Sequence, residues 1–272
     1  MADAKGNFPG FWGPTTSLVD WCESNYETTY YIAEFWNTIS NLFYILPSLI
    51  AISLAIRDKL ETRFLACYLT MLLVGIGSWM FHMTLRYSSQ LADEIPMLVL
   101  VSIFIYAMAT TSSSRKEVNL VVLLGLLLSV SASAIVYMII REPLIFQITF
   151  GVLAMLLIVM GRILFNQKHM QNIDKTLFYK AFILMLVAFC LWIIDTAACS
   201  KLRTLRTHIF PAVRPITQLH TCWHILSSYA GFTTIAFLVY ARASHLGNKH
   251  HILSIMGFPF VRCQQNSNVQ NY

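Results

Sequence analysis

Three histidines, an aspartate and a serine fall at matching ends of separate apolar runs. Ser78 and His82 lie near the close of one run, Asp93 at the start of the next, and His220 and His224 at the opening of the last. Histidine and aspartate are costly in hydrocarbon, so copies that share a depth mark a functional site by default. The members of each pair, Ser78/His82 and His220/His224, are four residues apart and project from one helix face. A zinc that does chemistry takes three protein ligands and keeps a fourth position for water. His82, His220 and His224 supply the three ligands, which leaves Asp93 free to move protons. Ser78 is a neutral donor for a developing oxyanion. The pattern reads as metal-assisted hydrolysis. A single His-x3-His pair is a weak signal, because an intramembrane histidine is as often a hydrogen-bonded structural residue. The topology that brings the two pairs and Asp93 to one layer carries the argument.

Those residues must be held by membrane-spanning helices. The chain has 272 residues, 57% hydrophobic and only 12% charged, against about 25% charged in an ordinary soluble domain. Seven apolar runs, at about 34–56, 63–84, 91–111, 118–140, 144–164, 177–198 and 216–240, are each long enough to cross a bilayer. The expected fold is all-α, an integral-membrane bundle of seven transmembrane helices. Residues 1–33 are expected to form a segment outside the bundle, 34–240 the catalytic bundle, and 241–272 a tail. Residues 1–33 lack the apolar core of a cleavable signal peptide.

The net charge of +6 does not point to nucleic acid, because the basic residues gather at span ends. Arg57, Lys59, Arg63, Arg115, Lys116, Arg162, Lys168, Lys175, Arg242, Lys249 and Arg262 belong to one side. Lys5, Arg86, Arg141, Lys201, Arg203, Arg206 and Arg214 belong to the other. The excess predicts a luminal amino terminus and a cytosolic carboxyl terminus. Cys67, Cys190 and Cys222 then lie within spans and Cys263 in the tail. Cys22 and Cys199 alone fall on the luminal side, where disulfides persist, and a bridge would tie the amino-terminal segment to the mouth of the sixth span.

Other acids accompany the cluster. Glu94 follows Asp93, and a helical step of about 100° turns it away from the shared face, so it reads as structural or mouth-lining. Asp195 is an outer-shell candidate that could orient a ligating histidine, and equally a helix cap or an arginine partner. Asp20, Glu23, Glu27 and Glu34 crowd the segment before the first span. With Asn25 they offer the oxygen ligands that suit calcium, although composition alone favours a solvated acidic loop.

Ser78-x3-His82, Asp93 and His220-x3-His224 together resemble the CREST superfamily of membrane hydrolases. Phe11-Trp-Gly-Pro-Thr-Thr-Ser17, Asp20-Trp-Cys-Glu23, Tyr31-Ile-Ala-Glu-Phe-Trp-Asn37, Gly77-Ser-Trp-Met-Phe-His-Met-Thr-Leu85 and Asp93-Glu-Ile-Pro-Met97 resemble its alkaline ceramidases, in particular the phytoceramidase-like branch. The likeness runs to about residue 245 without departure at the matched positions. It implies hydrolysis of ceramide to a sphingoid base and a fatty acid. It implies zinc on His82, His220 and His224, and catalytic roles for Ser78 and Asp93. Calcium is implied on Asp20, Glu23, Asn25, Glu34 and the Trp21 carbonyl, with a Cys22–Cys199 disulfide and residence in endoplasmic reticulum and Golgi membranes. The substrate is then a ceramide-type lipid, with no nucleic acid and no obligate protein partner. Two other readings remain open. One is an adiponectin-receptor-like receptor with a structural zinc, for which a long cytosolic amino-terminal domain and the opposite orientation are expected. The other is a cation transporter, for which repeat-related broken helices are expected.

Overall fold

The protein is described by a computed structural model over residues 10–114, 118–167 and 170–264. Lys5, Arg115, Lys116 and Lys168, part of the charge asymmetry above, and residues 265–272 of the tail lie outside those ranges. Among the described residues the helices are α1 (Phe35–Ser40), α2 (Leu42–Arg57), α3 (Thr62–Thr84), α4 (Tyr87–Ala109), α5 (Leu120–Ile140), α6 (Pro143–Asn166), α7 (Thr176–Ala197), α8 (Cys199–His208) and α9 (Leu219–His245). With α1 and α2 taken together, seven segments are long and apolar enough to cross a membrane, in agreement with the seven expected runs.

The helix ends follow local chemistry. Asn119 accepts from the Val122 amide to cap α5, and Pro143 opens α6 where its missing N–H costs nothing. Leu85 and Arg141 close α3 and α5 in the left-handed region, at φ 49° and 58°. Neither is glycine, so tertiary contacts impose the turn: the Leu85 side chain is fully buried, and its carbonyl accepts from the Thr16 and Ser17 amides.

α9 is the axis of the bundle. Its most apolar window is 72% buried, against 11% for α6 and α7, which face outward. Lipid tails are as apolar as leucine, so such helices associate through close packing at small residues. Gly75 lies against Tyr44 and Ile45, Gly231 against Met71, and Gly77 against the backbone of Ala92. Gly77 is the tightest approach, since an added Cβ would sit on the Ala92 carbonyl oxygen. Pro96, inside α4, lacks the N–H that this carbonyl would otherwise receive.

At the end away from the histidines, Arg242 of α9 pairs with Glu61 at 2.8 Å and donates to the carbonyls of Thr111 and Ser113. Arg63 pairs with the same Glu61 and reaches Thr110. α3, α4 and α9 are thereby clasped together.

The all-α expectation needs one correction. Helix α9 runs through position 240 to His245, and a hairpin follows, β1 (Lys249–Ile255) antiparallel to β2 (Phe258–Gln264). Ile255 pairs with Phe258 across Met256-Gly257, both at positive φ, the two-residue turn that matches strand twist. Phe258 and Phe260 pack on Phe232 of α9, and Arg262 pairs with Asp58 at 2.8 Å. A membrane-span reading by hydropathy has no signal for a hairpin this short.

Candidate active site

α3, α4 and α9 bring the expected cluster together. His82, His220 and His224 are buried, and one nitrogen from each lies within 4.8 Å of the others. Their ring centroids are 4.6–5.0 Å apart. Ser78 stands between the two remaining parts of the cluster. Its hydroxyl is 3.5 Å from His224 Nε2 and hydrogen-bonds the Asp93 carboxylate. The Gly77–Ala92 contact sets this arrangement, because it brings α3 within one backbone thickness of α4 beside both residues.

The outer contacts of the histidines fix which nitrogens converge. His82 Nδ1 lies 2.5 Å from Glu34 Oε2, and its buried Nε2 has no partner. His224 Nδ1 lies 2.7 Å from Ser40 Oγ, whose own proton goes to the Asn37 carbonyl at 2.8 Å. His220 Nδ1 is also buried without a partner, and its ring stacks on Trp21 at 3.9 Å. Buried nitrogens left without a partner on His82 and His220, one nitrogen of each of the three histidines within 4.8 Å of the others, and oxygens against Nδ1 of His82 and of His224 together suit a tetrahedral zinc or similar ion.

Of the alternatives for Asp195, its contacts are those of a helix cap. Asp195 accepts from the Cys22 amide at 3.1 Å and from the backbone amides of Leu219 and His220. It meets the first amides of α9, while Glu34 and Ser40 are the oxygens that meet the rings of His82 and His224. A signal for Ser40 was present in the sequence. Asn37, Thr38, Ser40 and Asn41 are polar residues inside an apolar run, and all four are buried.

The acidic segment folds against this layer. Asn25 donates to both Asp20 oxygens at 3.4 Å, and Glu34 Oε1 accepts from the Trp21 amide at 3.2 Å. Asp20 and Glu34 also share a side-chain hydrogen bond. Glu23 accepts from the Trp36 and Asn37 amides at 2.7 and 2.8 Å, at the start of α1. Burial pushes the Glu23 carboxyl up to about 7 and raises that of Asp20. The Asn25 carbonyl oxygen is buried without a partner. An oxygen-rich, crowded and desolvated acidic group of this kind fits a hard cation. Cys22 and Cys199 are joined by a disulfide, with their Cα atoms 5.2 Å apart. It pins the segment to the start of α8.

A cavity of about 160 Å³ opens onto the cluster. Ser78, Asp93, His220 and His224 form its polar floor, and Phe146, Phe150, Phe189 and Trp192 contribute apolar wall. Glu94 also lines it. The arrangement can bind an apolar molecule with one polar, hydrolysable group at the histidines.

Known proteins agree with this chemistry. The sequence model of the family described as Ceramidase matches residues 13–261. The chain is 38% identical over 248 residues to alkaline ceramidase 3 of Mus musculus, covering 91% of this chain and 92% of that protein. It is 33% identical over 255 residues to an alkaline ceramidase of Saccharomyces cerevisiae, covering 88% and 80%. With an alkaline ceramidase of Arabidopsis thaliana the identity is 30% over 269 residues, covering 97% and 98%. A match over nearly the whole length, with a buried histidine cluster beside Asp93 and Ser78, places the chain in the alkaline ceramidase family.

Proposed function

We propose that the protein hydrolyses the amide bond of ceramide within the membrane, releasing a sphingoid base and a free fatty acid. The observation that carries this reading is the buried His82–His220–His224 cluster at the floor of an apolar cavity, in a chain of the alkaline ceramidase family. His82, His220 and His224 would hold a zinc ion, which when bound polarises a carbonyl and makes water nucleophilic near neutral pH.

The chain's own residues account for the remaining steps. The cavity's aromatic wall binds the hydrocarbon tails and brings the amide to the floor. Asp93 accepts a proton from the attacking water as its oxygen bonds to the acyl carbon. As the C–N bond breaks, Asp93 returns that proton to the departing nitrogen, so a free amine and a carboxylic acid result. Ser78 donates a hydrogen bond to the oxyanion that forms on the acyl carbon. Glu34 and Ser40 hold His82 and His224 in the orientation the ligands need.

The charge asymmetry of the loops supports a luminal amino terminus and a cytosolic carboxyl terminus. The family relationship supports residence in endoplasmic reticulum and Golgi membranes. Asp20, Glu23, Asn25, Glu34 and the Trp21 carbonyl would bind calcium and stimulate the reaction.

The test is to incubate the purified protein with a mixed panel of ceramides, dihydroceramides and phytoceramides and to quantify the sphingoid bases released, with elemental analysis of the same sample. One zinc per chain and base release are expected, and both should vanish in a His220→Ala/His224→Ala variant. Zinc without any base release would favour a receptor-like protein with a structural ion.

A further inference from the structure

Glu94 is a buried carboxylate on the cavity wall that the hydrolytic steps above do not use. Its Oε2 accepts from the Tyr137 hydroxyl at 2.5 Å, and its Oε1 accepts from Gln90 Nε2 at 3.1 Å. Gln90 Nε2 also donates to the Tyr137 oxygen at 2.8 Å, which closes a triangle across α4 and α5. The Gln90 carbonyl is fixed in turn by the Leu18 amide at 2.7 Å. Gln90, Glu94 and Tyr137 are all nearly or fully buried.

Each carboxylate oxygen offers about two acceptor positions. Here the protein fills one on each, so the carboxylate is rigidly oriented and still has capacity on the cavity side. Glu94 is the neighbour of Asp93 on α4, one helical step of about 1.5 Å and 100° away. A substrate whose scissile amide lies at Asp93 therefore presents the atoms adjoining that amide to Glu94. In a ceramide those atoms are hydroxylated: both hydroxyl-bearing carbons are bonded to the carbon that carries the amide nitrogen.

Resting on the ceramide reading above, we infer that Glu94, held by Gln90 and Tyr137, is a specificity residue that accepts a hydrogen bond from a substrate hydroxyl next to the scissile amide. A tie between α4 and α5 would need no cavity exposure and no spare acceptor. Beyond the Ser78–Asp93–histidine floor the wall is mostly apolar, with Gln147 and the Glu94 carboxylate as its polar groups. Such a carboxylate favours hydroxylated sphingoid amides over simple fatty amides, because an analogue without the hydroxyl leaves a desolvated carboxylate short of a donor.

The test compares kcat/KM for a ceramide with those for its 1-deoxy and 3-deoxy analogues of equal chain length, in the wild type and in Glu94→Ala. The wild type is expected to disfavour one of the two analogues by roughly 10- to 100-fold, and that analogue identifies the hydroxyl. In Glu94→Ala the ratio should fall close to one, through loss on the hydroxylated substrate, with zinc content unchanged. A structural tie alone would lower Tm and leave the ratio intact. Tyr137→Phe keeps the ring but releases the carboxylate, and serves as the second variant if Glu94→Ala does not fold; it should lower the ratio several-fold. Equal treatment of the three lipids by the wild type, or an unchanged ratio in the folded variants, overturns the assignment. The same three lipids competing with a fluorescent ceramide give the affinity ratio without turnover. A protein that releases no sphingoid base but shows this ratio, lost in Glu94→Ala, would fail the hydrolase reading and sustain this one.

Discussion

At the scale of single residues, the proposed reaction divides the work between groups that hold an ion and one that moves protons. The three imidazoles are fixed from behind by Glu34, Ser40 and the stacked Trp21, which leaves Asp93 without any ligating duty. Asp93→Asn should therefore lose ceramide hydrolysis and keep its zinc, measured by sphingoid-base release and elemental analysis on one preparation. Full turnover in that variant would remove the proton-transfer role. Ser78→Ala should be slower by about 10²- to 10³-fold if it supplies one oxyanion donor. His82, His220, His224, Ser78 and Asp93 were legible in the sequence, because a four-residue spacing shares a helix face and successive spans alternate direction. Glu34 beside His82 was not. It lies 48 positions away at the head of a separate span, and its carboxylate reads equally well as a calcium ligand.

Elements set the precision of that geometry. Helices α3 and α4 meet where Gly77 faces a carbonyl that Pro96 has left without its usual donor. Gly77→Ala must push α4 and Asp93 away from Ser78, since the atoms the new methyl would meet are the backbone of Ala92 and Asp93, which has no rotamer to change. A displacement near 1 Å costs about 10²-fold in rate. The variant should show such a loss of kcat, a lower Tm and zinc near normal, and unimpaired activity would mean that the helix pair has slack. The opposite ends of α3 and α9 depend on Glu61. Burial alone would raise its carboxyl, but the Arg242 hydrogen bond and the Arg63 charge outweigh burial and hold it below the ordinary 4.5. A depressed folded-state value gives stability that is present above the unfolded value and is lost as pH falls through the folded one. Melting temperature should therefore drop as the medium is acidified below about 4.5. Glu61→Gln should start lower at neutral pH and depend less on acid; equal acid sensitivity in the variant would reject the clasp. The spans themselves were readable from length and hydropathy. The hitch at Asn41 between α1 and α2, and the short α8, were not: polar residues inside a run do not say where the helix breaks, and α8 lies in the polar stretch between two runs, where hydropathy carries no helix signal.

In the whole molecule, the least apolar span is the central one. The best window of α9 has a mean hydropathy of 1.3, against 2.4 for α5, α6 and α7, and it is the most buried. Lipid-facing helices need apolar surface all round, whereas an interior helix spends its faces on serines, small residues and the two histidines, so centrality was encoded and not read. Against this axis the amino-terminal segment is tied twice: by the Cys22–Cys199 disulfide to α8, and by Glu34 to His82. Asp20 and Glu23 are raised by burial and stand close to Glu34, so a bound cation would relieve a charge strain the fold otherwise carries. Calcium binding to the native state alone would raise stability by about 2.7 kcal/mol at a hundredfold excess over Kd. It would also order the segment that backs His82, so activity should rise with Ca²⁺. Two variants separate these links. Asp20→Asn should lose the calcium-dependent gain in rate and Tm with zinc content unchanged, because Asp20 touches no histidine. Glu34→Ala should lose that gain and also hold zinc about 10- to 100-fold more weakly, because it removes the partner of His82 Nδ1. If chelating calcium with zinc retained changes neither rate nor Tm in the wild type, the segment binds no calcium that matters to the fold or the reaction, and Glu34 serves the histidine alone.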